Sequence, residues 1–85
     1  MRTEHHLTAR CICPVDGEPD QYAVTVETVV DIPVEAILAA ASSLAAEKIF
    51  QEEFTRRLAR KLGAVAVTTS GLHSGVRTIC RVTHE

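Results

Sequence analysis

The stretch LTARCICPVDGEPDQYAVTVETVV, residues 7–30, has the pattern of two strands joined by a short loop. In its first seven residues every second residue is Leu, Ala or Cys, which is the period of a half-buried strand, and Pro14 ends that strand by removing an amide donor. Residues 13–20 are rich in Pro, Gly and Asp, which form turns. The β-branched run within residues 21–30 predicts a second strand. The stretch therefore predicts an antiparallel hairpin.

The segment that follows has the pattern of helix. Pro33 suits the first turn of a helix and Glu35 suits its positively polarised end, so a helix is expected to begin near residue 33, and Gly63 is placed to end the helical segment. Apolar residues at helical spacing form two stripes: Ile37, Ala41, Leu44 and Ala45 in the first, and Phe50, Phe54, Leu58 and Leu62 in the second. Because the polar pair Glu47-Lys48 lies between the stripes, one long helix and two consecutive helices both fit.

A second hairpin is predicted after Gly63, from strand patterns over residues 64–69 and 76–82 and a loop that contains His73. The element order predicts an α+β fold of two layers, in which a four-stranded antiparallel sheet carries one long helix or two consecutive helices on one face (ββααββ). Residues 1–85 are expected to form a single domain, with residues 1–6 as a flexible N-terminus. The other face of the sheet is either polar and solvated or covered by further copies of the chain.

Composition excludes several classes of function. The chain has 85 residues, with 9 basic and 11 acidic side chains and a net charge of -2, so nucleic-acid binding is not expected. Its longest apolar stretch, residues 36–46, is too short to span a membrane, and no apolar signal core follows the N-terminus, so the cytoplasm is the expected location. Three cysteines make no disulfide framework, and a core this small is marginal alone, which predicts a homo-oligomer.

Cys13 is the first candidate for chemistry. It lies at the end of a predicted strand, and Asp20 follows seven residues later, close enough to act on the thiol if the loop folds back. The alternative is that Cys13 is a small buried core residue, which is how we interpret Cys11 and Cys80.

A zinc site would use some of the same atoms. Cys11, Cys13, Cys80, His73 and the pair His5-His6 are of the residue types that bind zinc, although their spacing is not that of a known zinc motif. Zinc therefore stays open at this point, with no ligand set assigned.

Glu52 is the second candidate. It lies between Phe50 and Phe54 near the apolar border of the helix, where a carboxylate can accept paired hydrogen bonds from a ring rich in N–H groups, such as guanine. The alternative is an ordinary surface ion pair with Arg56, four residues further along the helix.

The segment Cys13-Pro14-Val15-Asp16-Gly17-Glu18-Pro19-Asp20 resembles the queuosine-pathway nitrile reductase (QueF-like) family, whose pattern is a nucleophilic Cys-Pro, a Gly, and then Pro-Asp before a β-branched strand. The resemblance continues at Val34-Glu35 and at FQEE, residues 50–53, where that family has Phe-His-Glu-Asp. FQEEFT, residues 50–55, is also similar to a Val-Gln-Glu-Arg-Leu-Thr stretch of GTP cyclohydrolase I. Both families have the tunnelling fold (T-fold), whose element order agrees with the one predicted above, and the resemblance spans residues 7–83.

The resemblance implies a function and a set of roles. Cys13 would be the nucleophile that adds to a nitrile, Asp20 its proton-transfer partner, and Glu52 the anchor of a 7-deazaguanine-type purine or pterin ring. Gln51 and Glu35 would line the pocket, and we add His73 to these substrate-binding candidates. In this superfamily subunits join edge to edge into a barrel, and the pocket lies between subunits.

The chain also departs from both families. Residues 34–39, VEAILA, replace the Glu-Ser/Thr-x-Ser-Leu-Lys stretch that serves NADPH in the reductase, and Gln51 replaces a His, so neither NADPH nor another cofactor is assigned. A nitrile-binding Cys without a reductant fits amidinotransferase-like relatives, in which an amine or ammonia attacks a thioimide. The Cys-Glu-His-His zinc pattern of GTP cyclohydrolase I is absent, since Thr3 precedes Glu4-His5-His6. A GTP cyclohydrolase I-like pterin enzyme and a non-catalytic binding or structural oligomer remain the alternatives.

Overall fold

Four strands and two helices build the fold in the computed structural model, which describes residues 1–84. In chain order they are β1 (Thr3–Ile12), β2 (Pro19–Thr28), α1 (Val34–Ala45), α2 (Gln51–Leu62), β3 (Ala66–His73) and β4 (Val76–Thr83). The strands form one antiparallel sheet in the order β1-β2-β3-β4, with the helices packed over one face. The predicted α+β architecture with ββααββ order is confirmed. Glu85, the last residue of the predicted 1–85 domain, lies outside the described residues.

Strand β1 is longer than the sequence pattern indicated. The prediction of a flexible terminus over residues 1–6 is wrong for residues 3–6, because Thr3 pairs with Thr28 and His5 pairs with Val26. Strand β2 has ten residues and therefore offers backbone donors and acceptors along the whole length of β1. The first hairpin is a long, fully paired ribbon.

The two helices are separate, which settles the alternative that the sequence left open. Residues 46–50 between them are not helical. Gly63 ends α2 in the left-handed conformation (φ 60°, ψ 34°), and its N–H donates to carbonyls of the last turn, as predicted for a helix-terminating glycine. Each helix has 12 residues, and none within residues 1–84 is long and apolar enough to cross a bilayer.

Phe50 does not belong to the apolar stripe in which the sequence pattern placed it. Its backbone is extended (φ -70°, ψ 158°) and precedes the first helical turn, so its side chain is 55% exposed. Gln51 and Thr55 occupy buried positions on α2 instead. Polar side chains are tolerated there because the sheet beneath supplies hydrogen-bond partners.

The core lies between the helices and the sheet. Phe54 of α2 is fully buried and packs on Tyr22 of β2, with ring centroids 5.8 Å apart and planes tilted by 54°. Ile37 and Leu44 of α1 and Leu58 of α2 are buried in the same cluster. Helix α2 lies over β3 and β4, and Phe54 reaches across to β2.

The face of the sheet that points away from the helices is polar. Arg81 donates to Thr68 at 2.8 Å and pairs with Glu27 at 3.0 Å, and Arg77 donates to Ser70 at 2.9 Å. These side chains make the face polar, as one face of an antiparallel sheet often is.

Thr28 allows a test of the core. Its hydroxyl is buried and has no hydrogen-bond partner within residues 1–84, so Thr28→Val is expected to raise the free energy of unfolding by about 1 kcal/mol by removing an unsatisfied polar atom. Urea unfolding at one fixed protein concentration measures the change. The matched control is Thr69→Val, which removes a bonded hydroxyl and is expected to destabilise by about 1–3 kcal/mol. A Thr28→Val protein less stable than wild type would contradict this account of the core.

Candidate functional site

A cavity of about 340 Å³ lies at the end of the sheet where both hairpin turns meet the N-terminus of α2. Its size is that of a small-molecule site. The cavity is lined by Cys13, Pro14, Val15, Asp20, Tyr22, Phe50, Gln51, Glu52, His73 and Thr78. Five of the predicted site residues are therefore brought together from four separate parts of the chain, and Glu35 is not among them.

The turn between β1 and β2 positions Cys13. The Cys13 N–H donates to the Glu18 carbonyl at 2.9 Å, and the Gly17 N–H donates to the Cys13 carbonyl at 2.9 Å. The Glu18 N–H donates to Asp16 Oδ1 at 3.0 Å, which is an Asx-type turn. The loop therefore folds back on itself and holds the thiol at the cavity wall.

Asp16 lies in the same turn as Cys13, close to His73, and was missed by the sequence reasoning. The Glu18 N–H, first, and a hydrogen bond from the thiol lower the pKa of the Asp16 carboxyl below its usual range. The signal that could have identified it is the Asx pattern, since an Asp that caps the second amide after it must turn back toward the start of the loop.

Asp20 and His73 form an ion pair across the two hairpins. His73 Nδ1 lies 3.1 Å from Asp20 Oδ1, and His73 Nε2 lies 3.8 Å from Asp16 Oδ2. The hydrogen bond to Asp20, followed by the charges of Asp20 and Asp16, raises the pKa of the His73 imidazole. Asp20 thus accepts the closer contact from His73, and Asp16 lies on the other side of the ring.

Tyr22 forms one wall of the cavity, and Gly71 on β3 makes room for it. A Cβ on Gly71 would lie 2.7 Å from Tyr22 Cδ1, too close for any side chain at this position. Burial, first, together with the nearby acidic groups raises the pKa of the Tyr22 phenol, so the ring stays neutral. The cavity therefore has an uncharged aromatic wall beside its carboxylates.

Gln51 anchors the first turn of α2 to the sheet. Its amide Nε2 donates to Thr69 Oγ1 at 3.1 Å and to the Thr78 carbonyl at 3.0 Å, with a longer contact of 3.3 Å to the Thr69 carbonyl. The Thr55 hydroxyl donates to the Gln51 carbonyl at 2.7 Å and shares a 2.6 Å bond with Thr69. Because Nε2 is occupied, Oε1 is the Gln51 side-chain atom left to bind a ligand.

Glu52 follows directly and lines the cavity with an exposed carboxylate. The predicted surface pair with Arg56 is absent, since Arg56 bonds Glu53 at 2.9 Å and Arg57 bonds Glu47 at 2.9 Å. Across residues 1–84 no hydrogen bond or ion pair engages Glu52. Its charge instead acts on neighbouring groups and helps to raise the pKa of the Cys80 thiol, after the effect of burial.

The remaining candidates lie away from the cavity. Glu35 is exposed at the start of α1. Cys11 is fully buried, as expected for a core residue, and burial raises the pKa of its thiol to about 11. Cys80 is only partly buried and its thiol is free, so its interpretation as a buried core residue is wrong.

The zinc ligands considered from the sequence do not converge. His6 Nδ1 lies 3.3 Å from Thr25 Oγ1 on the first hairpin, and His6 does not line the cavity. Within the described part of the chain, no group of three or more His, Cys, Asp or Glu side chains is arranged to hold a metal ion.

Comparison with known proteins identifies a similar fold. The chain is similar to the crystal structure of an archaeosine synthase QueF-Like in the apo form, with a TM-score of 0.86 and 19% sequence identity. The match covers 95% of this chain and 90% of the other. A scan against protein-family models finds no match, and a search of curated proteins finds none either. At this identity the likeness establishes the fold, and it agrees with the QueF-like T-fold resemblance of the sequence.

The His73 ion pair predicts a pH dependence. Because its partners raise the pKa of the imidazole above the ordinary 6.5, its stabilising effect is complete below that value and is lost as the pH rises through the raised pKa. Asp20→Asn removes the main cause, so the His73 titration followed by NMR is expected to move to lower pH. Glu18→Gln, an exposed change in the same hairpin, serves as the control. Equal midpoints in wild type and Asp20→Asn would refute the assigned ion pair.

Proposed function

We propose that the protein binds a 7-deazaguanine-type nitrile in this cavity and that Cys13 adds to the nitrile to form a thioimide. The observation that carries the proposal is that Cys13, Asp20 and Glu52 line one cavity. These residues come from a turn, a strand and a helix. A nucleophile, a proton donor and a ring anchor must surround the same ligand, and one cavity satisfies that condition. The fold shared with an archaeosine synthase QueF-Like supports the same substrate class.

Ring recognition is assigned to the first turn of α2. Among the described residues Glu52 has no competing partner, so both carboxylate oxygens are available to two adjacent N–H groups on the edge of a guanine-like ring. Gln51 Oε1 supplies a further acceptor, held in place because its Nε2 is bonded to the sheet. Phe50 and Tyr22 give the ring apolar surface to pack against.

The chemistry proceeds in two balanced steps. The Cys13 sulfur loses its proton and bonds to the nitrile carbon, one π pair of the C≡N bond moves to nitrogen, and that nitrogen takes the thiol proton, delivered through Asp20. An amine or ammonia then bonds to the same carbon, and the C–S bond breaks, which returns the thiol and leaves an amidine. Neither step requires a reductant.

Charge in the cavity favours the amine over NADPH as the second reactant. Asp20 and Glu52 line the cavity and Asp16 lies beside His73, whose imidazole is the one basic side chain in the lining, so the site is unfavourable for the phosphates of a dinucleotide and favourable for a cationic or neutral amine. Residues 34–39, which replace the NADPH-serving stretch of the reductase family, contribute no basic side chain. These features support the amidinotransferase-like activity.

Several copies of the chain are proposed to complete the site. The sheet ends on both sides in long strands, β1 with ten residues and β4 with eight, whose outer edges have no partner within residues 1–84. Such edges pair readily with other strands, and edge-to-edge pairing would place a neighbouring copy beside the open cavity. Glu35, which lies away from the cavity of its own chain, would then serve the assembly rather than the single copy.

The oligomer is tested by its mass. Sedimentation equilibrium is expected to give a species several times heavier than the 9.2 kDa chain, because edge pairing hides backbone groups along both outer strands. A dilution series shows whether the species dissociates. A single component at the mass of one chain would refute edge pairing.

The thioimide is tested by intact mass after incubation with 7-cyano-7-deazaguanine. The wild-type protein is expected to gain the mass of one ligand per chain, and Cys13→Ala is expected to gain none. Glu52→Gln keeps the nucleophile and weakens the paired hydrogen bonds, so adduct formation is expected to need about tenfold or more higher ligand concentration.

Two outcomes would contradict the proposal. An adduct that forms equally on Cys13→Ala would place the reaction at another residue. Tight binding of the ligand without any adduct would refute the covalent step and favour the non-catalytic binding protein.

A further inference from the structure

Tyr22 is the most deeply buried of the residues that line the cavity, with 4% of its surface exposed. Its ring packs on Phe54, with centroids 5.8 Å apart, and lies over Gly71 on the paired strand. A Cβ at Gly71 would lie 2.7 Å from Cδ1 and 2.9 Å from Cε1 of that ring. The ring is therefore held between the core and the backbone of β3.

The Tyr22 hydroxyl has no hydrogen-bond partner within residues 1–84. Among the described side chains that are not exposed, the Thr28 hydroxyl is the one polar atom that is both shielded from solvent and unbonded. The Tyr22 oxygen is therefore not sealed in the core, and the cavity is the open space that this side chain borders. Because a buried tyrosine normally bonds its hydroxyl, an unbonded hydroxyl at a cavity wall is available to a ligand.

This hydroxyl is a donor beside groups that accept hydrogen bonds. Asp20 and Glu52 contribute carboxylates to the cavity, and Gln51 contributes its Oε1 atom because its Nε2 is bonded to the sheet. Burial, followed by the charges of nearby groups that include Asp20 and Glu52, raises the pKa of the Tyr22 phenol, so the oxygen keeps its proton. A ligand with a carbonyl oxygen would satisfy this donor, whereas a ligand with N–H groups alone would leave it unpaired.

Tyr22 lies between the β1–β2 turn and the first turn of α2. Asp20, two residues earlier on the same face of β2, lines the cavity beside the β1–β2 turn. On the other side, the Cβ that would meet the Tyr22 ring at Gly71 would also lie 3.3 Å from Gln51 Oε1. The ring thus adjoins both the end of the cavity that holds the nucleophile and the end that is assigned to ring recognition.

We propose that the Tyr22 hydroxyl donates a hydrogen bond to the ring carbonyl of the ligand and so selects rings that carry an oxo group. The inference rests on the proposed function and adds a specificity-determining residue to it. Along one edge of 7-cyano-7-deazaguanine, the carbonyl lies between the two N–H groups and the carbon that bears the nitrile. A ring whose N–H groups bond Glu52 and whose nitrile meets Cys13 turns its carbonyl to the wall between them, where Tyr22 lies. No bond of Tyr22 is made or broken in the covalent steps.

The test measures equilibrium binding by isothermal titration calorimetry in Cys13→Ala, which lacks the nucleophile. Two ligands are compared, 7-cyano-7-deazaguanine and its 6-thio analogue, which keeps both N–H groups and replaces the carbonyl oxygen by sulfur, a weaker acceptor. Tyr22→Phe in the same background removes the hydroxyl and keeps the ring on Phe54. Thr25→Val is the matched control, because it removes a hydroxyl from the same strand that does not line the cavity.

The substitution and the ligand change are expected to be coupled. Tyr22→Phe is expected to weaken binding of the oxo ligand by about tenfold, since the ligand carbonyl loses its donor. For the 6-thio ligand the same substitution is expected to change the dissociation constant by less than about twofold, because sulfur gains little from the hydroxyl. Thr25→Val is expected to bind both ligands as the Cys13→Ala protein does.

Three outcomes would overturn the inference. The first is an unchanged dissociation constant for the oxo ligand in Tyr22→Phe. The second is an equal loss for both ligands, which would indicate disturbed packing of the ring rather than a lost bond to the carbonyl. The third is a greater loss of oxo-ligand affinity in Thr78→Val than in Tyr22→Phe, which would assign the carbonyl to the other hydroxyl of the lining.

The same measurements separate this inference from the proposed function. If the expected coupling is found while the protein with Cys13 intact forms no adduct, the covalent step fails and the Tyr22 hydrogen bond stands. If the adduct forms on Cys13 and the coupling is absent, the proposed function stands and the role of Tyr22 is overturned.

Discussion

The position of α2 over the sheet depends on the buried hydrogen bonds of Gln51. An amide buried without partners costs about 1–3 kcal/mol, so the helix is most stable where Gln51 meets Thr69 and the Thr78 carbonyl. The Thr55 hydroxyl, one turn further along, bonds both Gln51 and Thr69 and sets the same rotation of the helix. With Gln51 facing the sheet, Glu52 is turned by about 100° to the cavity and Phe54 lies over Tyr22. The hydrogen bonds of Gln51 and Thr55 thus fix both the packing of Phe54 on Tyr22 and the position of Glu52 at the cavity.

The topology explains why the cavity lies at one end of the sheet. In an antiparallel sheet the end of β1, the start of β2, the end of β3 and the start of β4 lie at the same end of the sheet. The C-terminus of α2 leads into the start of β3, which lies at the opposite end of the sheet. The N-terminus of α2 therefore lies at the end that holds the cavity. The acidic groups of the first turn therefore meet the imidazole of His73, which is 53 residues away from Asp20 in the sequence.

The two layers leave the molecule with a marked asymmetry. The helices bury one face of the sheet, and the opposite face carries the ion pair of Arg81 and Glu27. The outer edges of β1 and β4 have no partner strand in the part of the chain that the structure describes. A chain of 85 residues has too little apolar area for a second core. Backbone pairing along those edges is a further way for such a chain to gain stability. Because the same pairing would place a neighbouring copy beside the open cavity, the proposed oligomer and the proposed site form one hypothesis.

The sequence alone determined the order of the elements. The period-two pattern of residues 7–13, the β-branched run before residue 30 and Gly63 at the end of α2 are local signals, since each depends on neighbouring residues. It also identified Cys13 and Glu52 as candidates, because both lie in short motifs. Local signals are weaker at element ends, and for this reason residues 3–6 and Phe50 were misplaced.

Only the tertiary structure decided which side chains meet. Asp16 was read from the sequence as a turn residue, and its approach to His73 follows from a loop geometry that two backbone hydrogen bonds and one from the Glu18 N–H to the Asp16 side chain define. The pairing of Asp20 with His73 depends on the register of β2 against β3. Glu52 has no partner among the described residues because Arg56 pairs with Glu53. Such contacts join residues distant in sequence or select among equivalent neighbours, and packing is the physical constraint that makes the choice.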